Sequence, residues 1–211
     1  MKIKYLNLMK ELEKAHHYIE QKWPFQNNLG DYKTNFIYKL DKVSEVKDKI
    51  RQTGVNEIYT FHRWYNFHTS ITCEALFVDN GCISNKDKKD KFIDLFIRDV
   101  PFDVKLTVYP RTINEKLDLS KRSEKNKLCD WFYRNQSQQQ RKHLRNRLFI
   151  VCVAETYNDS LKLKSNFYLI ENKIQQFLKY YSDKPFNNIT YSESGRSYNM
   201  STDIILVEEN K

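Results

Sequence analysis

Glycine and proline are scarce, with four of each in 211 residues. That composition excludes collagen-like and loop-dominated architectures. Cysteine is equally rare. Cys73, Cys82, Cys129 and Cys152 are scattered, with no C-x-x-C pair and no histidine at zinc-ligand spacing. This argues against a structural zinc site and suits a reducing cytoplasm. No apolar run approaches the ~18 residues that a bilayer span requires. The opening MKIKYLNLMKELEKAHHY is charged throughout and lacks the apolar core of a signal peptide. A soluble, cytoplasmic protein without membrane contact is the expectation. A G-x-x-x-x-G-K-[ST] loop is absent, which sets aside ATP-driven work. Ser70 and Cys73 have no glycine-flanked elbow, so serine and cysteine hydrolases are set aside too.

What the chain has is a core and a positive charge. It is 40% hydrophobic and 14% aromatic, enough to bury a real interior as one domain or one domain with an appendage. Lys and Arg number 36 against 27 Asp and Glu, a net charge of +9. That balance favours polyanionic partners, although solvated lysines give the same total.

Helices are expected across most of the first eighty residues. Leu6, Met9, Leu12 and Ile19 mark a first stripe, a second helix reaches Ile50 before the QTG at 52–54, and a third covers residues 55–77. Strands are expected at 92–98 and 102–109. A polar, helix-prone segment follows, and then RLFIVCVA at 147–154 reads as a fully buried strand. One amphipathic helix is expected over 161–181, and STDIILVEE ends the chain as a strand. The fold class is therefore α/β or α+β, with a mixed central sheet flanked by helices. Residues 1–54 are expected to form a helical segment packed on a core of residues 55–211.

The paired strands raise a chemical question. Phe102, Val104, Leu106 and Val108 share one face of the second strand, and Asp103, Lys105 and Thr107 share the other. With Asp99-Val100 as a two-residue turn, Asp94 stands opposite Lys105. Any even loop keeps Asp94 on the face of Asp103 and Lys105. Two carboxylates so close repel unless a cation separates them. A hard divalent ion accepts oxygen ligands, polarises a phosphate and acidifies a bound water. The plainer alternative is a cross-strand Asp94–Lys105 ion pair. Phe67, Ile71, Glu74 and Val78 lie at i, i+4, i+7 and i+11, so Glu74 reads as a carboxylate on an apolar helix face, aimed at the same ion. A shifted helix frame would instead leave it at the edge of that stripe, solvated.

Asp94 on one strand, Asp103-Val104-Lys105 on the next and an upstream helical Glu74 together resemble the PD-(D/E)xK nuclease superfamily, with its restriction-endonuclease-like fold. The likeness is carried by residues 60–110 and extends loosely to about residue 180. The chain departs from the pattern in having Ile93, not Pro, before Asp94. Only eight residues separate Asp94 from Asp103, which leaves Asp99 as a rival for the first acid. The resemblance implies Mg²⁺- or Mn²⁺-dependent hydrolysis of nucleic-acid phosphodiesters, usually DNA. It implies Asp94 and Asp103 as metal ligands, Glu74 as a further metal ligand or a supporting residue, and Lys105 as the group that assists the attacking water.

Residues 121–147 hold nine Lys and Arg against Glu124 and Asp130, which is +7 of the chain's +9. Arg134, Gln138, Arg141, Lys142, His143 and Arg145 are the candidate nucleic-acid contacts there, with His143 as a surface or phosphate-contacting residue. A solvated helix face is the alternative. Two rival functions stay open: a non-catalytic nucleic-acid-binding module on the same fold, and a protein-interaction domain assembling through its N-terminal helices, for instance as a homodimer.

Overall fold

The computed structural model describes residues 2–87, 89–113, 117–135 and 143–209. Its N-terminal third is helical: α1 (Ile3–Lys14), α2 (His16–Ile19), α3 (Asn28–Lys33), a 3-10 turn at Asn35–Lys39, α4 (Val43–Thr53) and the long α5 (Glu57–Asp79). Two local signals set these ends. Gly54 closes α4 at φ 65°, a left-handed conformation that costs an L side chain energy, and its amide donates to the Ile50 carbonyl at 2.8 Å. Asn56 caps α5 by accepting from the Tyr59 amide at 2.8 Å.

The rest alternates strands and helices: β1 (Ile83–Ser84), β2 (Leu95–Ile97), β3 (Val100–Val108), α6 (Arg122–Arg134), β4 (Arg147–Val153), α7 (Tyr157–Leu163), α8 (Phe167–Tyr180), β5 (Asn188–Glu193) and β6 (Arg196–Glu208). They form one six-stranded mixed sheet in the order β1-β2-β3-β4-β6-β5. The β3–β4 and β4–β6 pairs are parallel, and the β1–β2, β2–β3 and β5–β6 pairs antiparallel. This is the expected mixed α/β class.

Alternation divides the sheet between two cores. Phe102, Val104, Leu106, Leu148, Ile150 and Cys152 pack with α5, α8 and the N-terminal helices in one cluster. Phe149, Val151 and Ile204 pack with Leu128, Cys129 and Tyr133 of α6 on the other side. The helices of residues 1–54 thus share a core with the sheet. Each large apolar side chain fully buried there contributes about 1.5–3 kcal/mol. The four cysteines are buried and free. Among the described residues no helix is long and apolar enough to cross a membrane.

Several boundaries differ from the sequence expectation. The first hairpin strand is only Leu95–Ile97, and Asp94 sits just before it. Its turn is Arg98–Asp99, both at positive φ (48° and 66°), and not Asp99–Val100. The helix expected over 161–181 is broken, because Asn166 caps α8 by accepting from the Leu169 amide. β1 and β5 are additional strands that their polar sequences did not signal.

Candidate active site at the open edge of the sheet

β2 pairs with only the first residues of β3, through Leu95–Phe102, Phe96–Pro101 and Ile97–Val100. Beyond them, no described strand covers the outer side of β3. Continuing the register sets Asp94 against Asp103, two residues from the Lys105 that the earlier turn assignment implied. The even loop is kept, so Asp94, Asp103 and Lys105 do share a face. The Asp94 amide donates to the Phe102 carbonyl at 2.9 Å, and its Oδ2 accepts from the Val104 amide at 2.7 Å. That clamp aims the carboxyl back at Asp103.

The two carboxyl groups are near enough for each to act on the other's charge. Burial raises the pKa of Asp94, and the neighbouring Asp103 adds to the rise against the pull of the Val104 amide and Lys105. Asp103 goes the other way. It is 1% exposed, and burial alone would raise its pKa. His143, Lys105 and Arg147 outweigh burial and hold it well below the usual carboxylate range. Lys105 Nζ lies 2.5 Å from Asp103 Oδ1, and Arg147 Nε lies 2.5 Å from Oδ2. Register places that arginine, because Arg147 opens β4 directly beside Asp103. His143 Nε2 faces Arg147 Nη2 at 2.5 Å and Asp103 Oδ2 at 3.4 Å. These groups border a cleft of about 650 Å³, lined by Asp94, Lys105, His143, Arg147, Phe132 and Phe149 among others.

Other expected site residues fall elsewhere. The core side of α5 is Tyr65, Thr69, Thr72, Cys73 and Leu76. Ile71 and Val78 are 41% and 38% exposed, so the stripe carrying Glu74 is the outer side of the helix. Glu74 is half-buried at its edge and does not line the cleft. Among the described residues, no three acids, histidines or cysteines gather closely enough to hold a metal ion. The proposed three-acid ligand set is therefore reduced to the Asp94–Asp103 pair. His143 is not a surface residue either, since its side chain is 7% exposed.

Of the seven described Lys and Arg in the basic run, five are ion-paired within the molecule. Lys121 pairs with Asp118, Arg122 with Asp203, Lys127 with Glu124, Arg134 with Asp130 and Arg147 with Asp103. Arg145 lies over the Phe92 ring at 4.6 Å. Gln138, Arg141 and Lys142 lie outside the described residues. Arg147 is the site residue that the sequence reading passed over. Its signal was an arginine opening a continuous apolar strand. Compared with family models, curated proteins and solved structures, the chain finds no match.

Proposed function

We propose that this chain is a metal-dependent endonuclease of the restriction-endonuclease-like fold, hydrolysing phosphodiester bonds of DNA. One observation carries the reading: Asp94, on the wall of a cleft, faces the buried Asp103 carboxylate and its Lys105 ammonium across the hairpin. The order of elements supports it, with α5, the β2–β3 hairpin, the connection through α6, and β4 parallel to β3.

The donor set suits a hard cation. Asp94 ionises reluctantly beside Asp103, and a divalent ion between them relieves that repulsion. Asp94 and Asp103 would hold Mg²⁺ or Mn²⁺, which would polarise a bound phosphate and make a water more acidic. The protein supplies the rest. Lys105 is half-exposed, so its ammonium can turn from Asp103 to a phosphate oxygen or to the attacking water. Arg147 and His143, buried behind Asp103, fix the carboxylate and offset its burial. Glu74 is left out of this ligand set.

One observation favours a second reading. Both Asp103 oxygens already meet a cation, Lys105 on one and Arg147 on the other. A closed network of that kind also suits a nucleic-acid-binding module that does not cut. Incubation of supercoiled plasmid with Mg²⁺ or Mn²⁺, beside the Asp103→Ala and Lys105→Ala variants, separates the two. Metal-dependent nicking by the wild type alone is expected. Equal nicking by all three proteins removes these residues from the chemistry, and no nicking in any metal leaves the binding module.

A further inference from the structure

Five of the seven described Lys and Arg at 121–147 are ion-paired within the molecule, so a polyanion would gain from cations elsewhere. They lie along the open edge of β3. A second cleft, of about 1070 Å³, runs there between α5, the segment after α2, and α7. Lys105, Leu106 and Thr107 border both this cleft and the one at Asp94, so the two meet across β3.

The lining is rich in donors. Lys164 follows α7 and is 6% exposed. Its ammonium donates to Asn66 Oδ1, and among the described residues no carboxylate lies within ion-pair distance. Its ionisable neighbours in the core, Cys73 and Cys152, are neutral thiols, because burial pushes their pKa values up. Burial lowers the pKa of Lys164 to about 8, which leaves it mostly protonated near neutral pH. A buried ammonium without a counter-ion is costly and calls for an anion. The Trp23 ring stacks on His62 at 5.0 Å and 9°, and its buried indole N–H has no hydrogen-bond acceptor among the described residues. At the far side the Arg111 guanidinium lies over the Tyr157 ring at 3.4 Å. The acid in the lining, Glu20, is paired with Lys162 at 2.7 Å.

We propose that this second cleft holds a single-stranded segment of the nucleic acid, with a backbone phosphate on Lys164 and unstacked bases against the Trp23–His62 ledge and the Arg111–Tyr157 pair. The proposal rests on the nuclease reading for its substrate class. A duplex is too wide to bring a phosphate to a side chain this deep, whereas a single strand offers both phosphates and free base faces.

The test is fluorescence anisotropy in EDTA, with a labelled single-stranded deoxyoligonucleotide of about ten nucleotides and the matching blunt duplex. The wild type is expected to bind the single strand more tightly. Lys164→Met is expected to weaken that binding about tenfold and to reduce the salt slope by about one. Its melting temperature should stay level or rise, because a buried charge is gone, whereas a lysine needed only for packing would lower it. Should Lys164→Met fail to fold, the exposed Arg111→Ala carries the same direction of change. Unchanged affinity in both variants, preference for duplex, or competition by deoxyadenosine monophosphate as strong as by the oligonucleotide overturns the strand assignment. The nuclease reading fails separately. Plasmid nicking with unchanged oligonucleotide binding in both variants sinks only this inference. Lys164-dependent binding without nicking sinks only the catalytic site.

Discussion

Asp103 and Asp203 occupy similar places and meet different surroundings. Each is buried in a strand that follows a two-residue turn of positive φ, Arg98–Asp99 before β3 and Ser194–Gly195 before β6. Each meets an arginine, Arg147 at 2.5 Å and Arg122 at 2.6 Å. Around Asp203 the pairing is complete. The Tyr181 hydroxyl donates at 2.5 Å and the Ile204 amide at 2.7 Å. Around Asp103 there is a surplus: a second carboxyl, a mobile-stemmed lysine, an imidazole and a cleft. A buried acid that is paired and sealed answers a packing problem. At Asp103 the cations win and the electrostatic cost falls on its neighbour Asp94, which lines the cleft with a raised pKa, and such sites are where chemistry is found.

The widest separation between the two aspartates should appear in cleavage. Asp94→Asn, which removes the like charge but keeps the shape, should lower metal-dependent nicking by about 10²–10³-fold. Asp203→Asn should nick at the wild-type rate per folded molecule. Equal losses would erase the distinction.

Stability should run in the opposite direction. In urea melts at pH 7, Asp203→Asn should cost about 2–3 kcal/mol, since it leaves Arg122 short of its partner. Asp94→Asn should cost nothing and gain up to about 1 kcal/mol, because its amide oxygen can still accept from Val104. A large loss for Asp94→Asn would make that residue structural.

Acid titration refines the pair at Asp103 itself. The folded pKa of Asp103 lies below the unfolded one, so its contribution is present above about pH 4 and fades as pH falls through its folded value. Asp94, with a raised folded pKa, acts with the opposite sign, and its contribution is lost as pH rises through that value. Asp103→Asn should therefore flatten the acid limb of the stability curve by about 1 kcal/mol or more. An unchanged limb would show that the carboxylate gains nothing from Lys105 and Arg147.

The smallest effect concerns the turns. Ser194–Gly195 places glycine at its second positive-φ position, whereas Arg98–Asp99 uses none. Asp99→Gly should raise stability by about 0.5–1 kcal/mol, measured by thermal melts. A loss instead would assign the Asp99 side chain a stabilising role in the turn.

How far the sequence could be read follows from the same details. β4 was legible because RLFIVCV is apolar on both faces, and β3 because its alternation is clean. The parity of the hairpin was legible too, which put Asp94, Asp103 and Lys105 together. The register slipped by one turn residue because an arginine at φ 48° has no local signature. Arg98 is held there from far along the chain, by the Ser182 and Lys184 carbonyls. Glu74 was assigned to the wrong side of α5 because threonines and a cysteine, which look polar or neutral, form much of its core side. The ion pairs of the basic run were not legible, because sequence counts charges but does not reveal which acids fold onto them. Arg147 escaped notice for a related reason: its partner Asp103 is 44 residues away.

The half-covered flank of β3 also bears on how the protein behaves in concentrated solution. Past Phe102 that flank has no neighbouring strand among the described residues, and such an edge invites the strand of another molecule. Lys105 sits in the middle of it, and a charged, solvated side chain there opposes sheet-to-sheet growth. Its removal should therefore promote oligomers besides slowing the proposed nicking, and light scattering on Lys105→Ala would tell clumping apart from a genuine loss of rate.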